Sequence, residues 1–426
     1  MIEKILKALK ANQIGIYRLN DVITESTEVF FVKKRLDTRR ICNTETVKVT
    51  VYKDFEKDGV RFLGNADFSV EPSATEEEIS EMVKKAYLSA GFVTNKYYDI
   101  AEKLVSDTVV MKSDIADVSA EEAVSRMVEA LFRNDTDSNT FVNSAEFFVT
   151  KDTVRILNSN GVDVGYVKYG VNGEFVCQCK SPEDVETYAN FAYDDLETEQ
   201  LAEKVKETLQ MTKDRAVAVK NPVNGNCNVV LANDYAYDVY GVFGEKNAAP
   251  YKFLGYFDTE IGKSIQGEDI QGDKITMDFI ATTPFSVEGL KMEDIKGIDK
   301  GVLCNYIGDL RYCQYIGVKP TGYYSKARVE SGSMSFEDMK KQVGLYVVNF
   351  SDFQVDPILG VFRGEIRLAY YNDGSKVIPV TGGSVNGIIN EVQKNFNLSV
   401  ERQDNKQVSG PKAIFMRNVA VAGCEE

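Results

Sequence analysis

The 426-residue sequence contains no histidine and no tryptophan. Without an imidazole there is no Ser-His-Asp or Cys-His catalysis and no histidine-containing zinc site. The usual general base near neutral pH is also missing. Apolar runs are short, and none approaches the roughly 20 residues a helix needs to span a bilayer. Cysteine is sparse and odd in number: seven residues, scattered except for Cys177 and Cys179. That pattern argues against a disulfide framework and fits a reducing compartment. Basic residues are in deficit, 50 against 65 acidic, giving a formal charge of −15. A phosphate backbone is repelled on average, so nucleic acid is not an expected partner. The richest basic run, Lys33 to Arg35 with Arg39 and Arg40, reads as a solvated sheet face. The start of the chain has Ile2, Ile5, Leu6 and Leu9 at helical spacing between charges, an amphipathic helix and no signal peptide. These features predict a soluble cytoplasmic protein without a membrane partner.

The length suggests two or three domains with ample apolar material. After the first helix, strands are expected at Ser26 to Lys34, Thr46 to Phe55 and Val60 to Val70, with a hairpin turn at Lys57-Asp58-Gly59. Thr75 and Glu78 form a capping box for a helix whose Ile79, Met82, Val83 and Ala86 share one face. Ser119 caps a second helix running to about Arg133. A four-strand pattern follows from Phe141 to Cys179, with turns at Asn158 to Gly161 and Val171 to Gly173. Ser181-Pro182 reads as an N-cap and N1 pair opening a long helical stretch to about Met211, broken near Asp194-Asp195. Beyond Lys213 helices become sparse. Strands are expected at Lys274 to Ile280, Gly301 to Ile307, Gly344 to Phe350, Phe362 to Tyr371 and Lys412 to Val421. Asn372-Asp373-Gly374 marks a hairpin, and Ser335 caps a short helix. The fold class is α+β. Residues 1–215 form an N-terminal domain of antiparallel meanders with flanking helices, and residues 216–426 a β-rich C-terminal domain with few short helices.

The stretch Asn228 to Phe243 changes period midway. Val229 to Leu231 suit a buried strand end, and Leu231, Tyr235, Val239 and Val242 then follow helical spacing. Gly241 and Gly244 offer C-terminal stops, and Asp234 and Asp238 are i and i+4 on the helix, most simply two solvated carboxylates. Other chemical motifs are weak. Gly262-Lys263-Ser264 ends like a phosphate loop, but Phe257 stands where that loop needs glycine. Cys177 and Cys179 share a strand face and read as packed thiols. Thr381 to Gly387 reads as a loop into a short helix.

Taken together, several segments resemble the TldD/PmbA family, once labelled modulators of DNA gyrase. They are Thr46 to Tyr52, the helix ending Lys85-Ala86, Thr282 to Gly289, Gly301-Val302-Leu303 and Ile316 to Gly322. Asp356 to Gly360, Gly364-Glu365-Ile366 and Val419 to Gly423 complete the order. TldD-like members resemble zinc peptidases, with H-E-x-x-x-H directly after a strand and a cysteine near the C-terminus. The resemblance places Ala232 and Tyr237 at the two histidine positions, Asn233 at the glutamate, and the cysteine near Gln407 to Gly410, at Ser409. It therefore implies the metal-free TldE/PmbA kind: no metal, no cofactor and no catalytic residue of its own. The implied partner is a TldD-like zinc peptidase subunit, and the implied ligand is peptide or unfolded polypeptide held as an added β-strand.

Asp234, Glu288, Gly289, Thr321 and Gly322 are the expected cavity-lining residues, and the 22 tyrosines suit a wide, wet surface. In isolation a homodimer is expected, its interface made by the C-terminal β domain and burying well over about 1,000 Å². Two other readings stay open: a hydrolase working with Asp234, Asp238, Asp258 and Glu260, and a binding or scaffold homodimer with no peptidase role.

Overall fold

The computed structural model describes residues 1–424. Helix α1 (Ile2–Ala11) buries Ile5, Ala8 and Leu9. The chain then enters long antiparallel strands, β1 (Ile16–Val32), β2 (Arg35–Lys57) and β3 (Val60–Val70). The first two begin well before the Ser26 and Thr46 read from sequence. Their extra lengths are held by continuous backbone pairing, Ile16 opposite Tyr52 through to Val32 opposite Arg35. Arg35 to Ile41 are all exposed, so this arm carries no burial alternation to mark it as strand. The basic run lies on this solvated arm, with Arg39 paired to Glu121 at 2.7 Å and Arg40 to Glu28. Asp58 and Gly59, at φ +54° and +74°, form the two-residue turn between β2 and β3.

Helix α2 (Glu76–Ala90) has the expected capping box at Thr75 and Glu78. Ser119 caps α3 (Ala120–Phe132). The four strands expected from 141 to 179 are two long ones, Thr140–Asn158 and Asp163–Cys179. The turn at residues 158–161 is present, whereas Asn172-Gly173 runs straight through the second strand. Gly173 is needed there for packing: a Cβ on it would lie 2.4 Å from the Phe147 Cβ. The helical stretch expected from Ser181 begins instead as a strand, Val185–Tyr193, and only then becomes α4 (Thr198–Arg215). Thr187 and Phe191 are buried, and the segment pairs along Val171 to Cys179, so tertiary pairing overrides the helical reading.

These six strands and the short Val109–Val110, which pairs with Asp163–Cys179, form a seven-stranded sheet among the described residues. Leu19, Val29 and Phe31 of β1 share one face, against α1 and α2 at one end and α3 and α4 at the other. The opposite face carries Tyr52, Leu63, Val154 and Ile156, and there Phe285 and Leu310 of the C-terminal half pack.

Beyond residue 215, strands dominate two further sheets. In the larger, Gly225–Ala232 pairs with Gly344–Asp356 and with Ala413–Ala422. Ala413–Ala422 pairs with Ser384–Ile388, which pairs with Val361–Asn372, which returns to Gly344–Asp356. The hydrogen bonding thus closes a ring of five strands, enclosing Leu345, Phe350, Phe362, Ile366 and Val385. The hairpin at Asn372 to Gly374 is present, and Ser335 caps the helix Phe336–Lys340. Three expectations shrink, the first being Lys274 to Ile280, which is strand only over Met277–Ile280. Gly301 to Ile307 keeps only Val302–Leu303 as strand, and Thr381 to Gly387 is a two-glycine turn into the strand Ser384–Ile388, with its short helix beginning at Ile389. Gly262 to Ser264 lie in an irregular loop that no helix follows. The chain is α+β with sheets predominating, as expected.

Candidate functional site

The strand Gly225–Ala232 buries Val229 and Leu231 in the ring's core. Residue Asn233 turns the chain at φ +56°, and α5 (Asp234–Glu245) follows. The strand-to-helix change expected near Ala232 is therefore present. Gly241 and Gly244, expected as stops, lie inside the helix. Gly244 sits 3.7 Å, from its Cβ position, to Met277 and Phe279, whereas Gly241 faces open space.

A hairpin of Arg402–Asp404 and Val408–Pro411 lies against the first turns of α5. The Tyr237 hydroxyl donates to the Gln403 carbonyl at 2.9 Å, and the Tyr240 hydroxyl to the Ala413 carbonyl at 3.2 Å. Asn405 Nδ2 donates to Asp234 Oδ1 at 2.9 Å. Arg402 Nη2 donates to the Ser409 carbonyl at 3.1 Å, with Ser409 Oγ at 3.4 Å. The fold thus brings Asn233, Asp234, Tyr237 and the Ser409 hairpin together. It separates Ala232, whose methyl packs with Val230, Met339, Ala413 and Phe415.

The zinc that TldD-like members are expected to hold does not fit these donors. Ala232 supplies a buried methyl group. Burial pushes the Tyr237 phenol well above its ordinary pKa, so it stays protonated and donates. Ser409 lies beside the Arg402 guanidinium, a fixed positive charge that opposes a dication. Neither thiolate nor imidazole is available, and among the described residues no three His, Cys, Asp or Glu side chains converge to hold a metal. Cys177 is inert by the same logic, its thiol pushed up by burial.

The remaining expected residues lie elsewhere. Glu288 Oε2 accepts from the Leu310 amide at 2.9 Å, and its Oε1 lies 3.5 Å from Arg18 Nη1. Gly289 is at φ +83°, and a Cβ there would stand 2.5 Å from Val162, in the turn between two strands of the N-terminal sheet. Thr321 Oγ1 accepts from the Gly308 amide at 3.2 Å, and a Cβ on Gly322 would meet Met292 and Ser286 within 2.8 Å. Glu288 and Gly289 brace the junction between the halves of the chain, whereas Thr321 and Gly322 pack within the C-terminal half. Of the four carboxylates weighed for hydrolysis, Asp234 is tied to Asn405, Asp258 faces Lys252 at 3.6 Å, and Glu260 faces Lys263 at 2.6 Å. Asp238 alone among them lines a groove.

Two grooves flank the strand-to-helix turn. One, about 1000 Å³, lies between α4 and the sheet and includes Met211, Asn233, Tyr346, Tyr370 and Phe415. The other, about 960 Å³, runs along α5 and includes Tyr237, Asp238, Glu245, Tyr323, Tyr324 and Phe353. Sequence reasoning found Tyr237 and Asp238 but not the aromatic walls, which come from segments more than 80 residues downstream. The one available signal was the spacing of Asp238, Gly241, Val242 and Glu245 along a single helix face.

Two family models match the chain: the PmbA/TldA metallopeptidase central domain over residues 113–213, and the PmbA/TldA metallopeptidase C-terminal domain over 197–423. An uncharacterized protein of Methanocaldococcus jannaschii is 24% identical over 439 residues, covering 91% of this chain and 95% of that protein. Metalloprotease PmbA of Escherichia coli O157:H7 is 23% identical over 207 residues, 46% of this chain and 45% of PmbA. The crystal structure of TldE from Thermococcus kodakarensis has the same fold, with a TM-score of 0.76 at 16% identity, covering 99% of this chain and all of that one. With the C-terminal model spanning more than half of its length, this chain belongs to the PmbA/TldD family.

Proposed function

We propose that this chain is the catalytically silent, TldE-like subunit of a TldD/TldE-type metallopeptidase, providing peptide-binding surface while a TldD-like zinc subunit does the cutting. The observation that carries this reading is the donor set at the strand-to-helix turn, Ala232, Asn233, Tyr237 and Ser409. A protonated phenol hydrogen-bonded to Gln403 and a guanidinium beside Ser409 replace a zinc-binding arrangement. The working partner is a histidine-bearing TldD-like chain in the cytoplasm. In isolation the chain pairs with itself through its C-terminal β domain, residues 216–426, with residues 1–215 as the second domain.

The test is co-expression with a TldD-like chain of the same organism, followed by size-exclusion chromatography, metal analysis and a casein digestion assay. The expected outcome is a stoichiometric complex that cleaves peptide, and a single chain with neither zinc nor activity. Stoichiometric zinc together with activity in the purified single chain would overturn the reading. Light scattering at micromolar concentration checks self-pairing, which a clean 47.6 kDa monomer at physiological salt would sink.

A further inference from the structure

The groove along α5 carries a charge pattern that the family assignment does not account for. Four charged residues line it: Asp238, Glu245, Lys326 and Lys406. Both lysines are already paired, Lys326 with Asp404 at 2.9 Å and Lys406 with Asp194 at 3.9 Å. Neither carboxylate has a hydrogen-bond or ion-pair partner among the described residues, in a chain where most acidic side chains near a base are paired. The groove therefore presents two uncompensated negative charges.

Their placement is regular. Asp238 and Glu245 are seven residues apart on α5, about 10 Å along the axis at 1.5 Å per residue. Gly241 lies between them on the same face, with open space before its Cβ position, so the floor there is bare backbone. Tyr323, Tyr324 and Phe353 supply the walls. Carboxylates beneath aromatic faces suit a group that is positively charged and partly apolar, which both the ring quadrupoles and the unpaired oxygens attract. An anion meets two like charges, and a neutral apolar side chain would cover two carboxylates that it cannot pair.

We propose that this groove selects basic peptide segments, seating a lysine or arginine side chain on Asp238 and a second cationic group on Glu245. The inference rests on the peptide-binding reading and adds the substrate class. Side chains four apart share one face of an extended strand, about 13 Å apart at about 3.3 Å per residue, and flexible lysine or arginine stems can close that to the separation of the two carboxylates.

The test uses the full chain and two fluorescein-labelled heptapeptides differing only at positions 2 and 6, one with lysine and one with glutamine at both. Binding is followed by fluorescence anisotropy at 0.15 M salt, for wild type and for the Asp238→Asn/Glu245→Gln variant, with a thermal melt of each protein as the folding control. The lysine peptide should bind wild type at least about tenfold tighter than the glutamine peptide, and the variant should remove that difference while leaving glutamine-peptide affinity unchanged. Equal binding of both peptides by wild type overturns the charge selection and leaves the peptide reading standing. Failure of wild type to bind either peptide overturns both. Lys326→Gln, on the rim, is the second variant: it should leave the lysine preference in place, and loss of the preference there overturns the assignment to the α5 carboxylates.

Discussion

Arg18 of the N-terminal sheet and Glu288 of the C-terminal half meet across the junction between them, Nη1 to Oε1 at 3.5 Å, with both side chains largely enclosed. Burial raises the Glu288 carboxyl above its ordinary pKa, against the opposing pull of the Leu310 amide and the Arg18 guanidinium. The same carboxylate accepts from Leu310, so one side chain secures two contacts. Glu288→Ala strands the guanidinium and the amide together, and should cost about 3 kcal/mol of stability. Glu288→Gln keeps an acceptor for Leu310 and should cost clearly less. Urea denaturation of the two variants checks this, and equal losses would show that the charge pair carries the whole loss and the acceptor for Leu310 none of it.

Asp238 should leave a signature in the pH dependence of stability. Partial desolvation at the groove wall, and secondarily the nearby Asp234, push the still solvent-exposed carboxyl up to about 6 from an ordinary 3.8. A folded-state pKa above the unfolded one gives stability that is full below about pH 4 and lost as pH rises through about 6. Asp238→Asn should therefore melt about 1–2 °C higher than wild type at pH 7.5 and equal to it at pH 4. A difference in Tm that does not change between these pH values would rule this out.

Gly173→Ala distinguishes a packed strand glycine from a turn glycine. The added Cβ would lie 2.3 Å from the Glu146 carbonyl oxygen as well as 2.4 Å from Phe147. Overpacking of this kind should cost about 3 kcal/mol or prevent folding. A loss of about 1 kcal/mol or less, measured by denaturation, would instead fit a solvent-exposed turn.

Asn233→Gly should stabilise the chain. Asn233 has φ +56° and ψ −133°, a backbone conformation suited to glycine, and its Oδ1 is buried with no hydrogen-bond partner. Glycine removes both costs and keeps the Asn233 amide bond to the Lys412 carbonyl. A gain of about 1 kcal/mol is expected from thermal or urea unfolding. A loss would mean that the amide side chain meets a group it bonds in solution.

Local chemistry made several elements legible in the sequence. The Thr75-Glu78 box, the Ser119 and Ser335 caps, the Asp58-Gly59 turn and the Asn372 hairpin are each set within a few residues, and each appears where expected. The missing histidine is likewise a property of the sequence alone, and it excludes every histidine-containing zinc site. Elements decided by distant partners were misread. Val185 to Tyr193 has no local preference strong enough to outweigh its pairing with Val171 to Cys179. Asn172-Gly173 looks like a turn until Phe147 stands over it. The arm from Arg35 to Ile41 has solvent on both faces, so hydrophobic alternation has nothing to record. The grooves were invisible for the same reason. Asp238 and Glu245 are seven residues apart in sequence, but Tyr323, Tyr324 and Phe353 reach them only because the sheets close around α5. Glu288 and Thr321 carry motif residues whose order was legible. That Glu288 braces a junction, while the groove lies along another helix face, depends on which faces meet, and packing alone decides that.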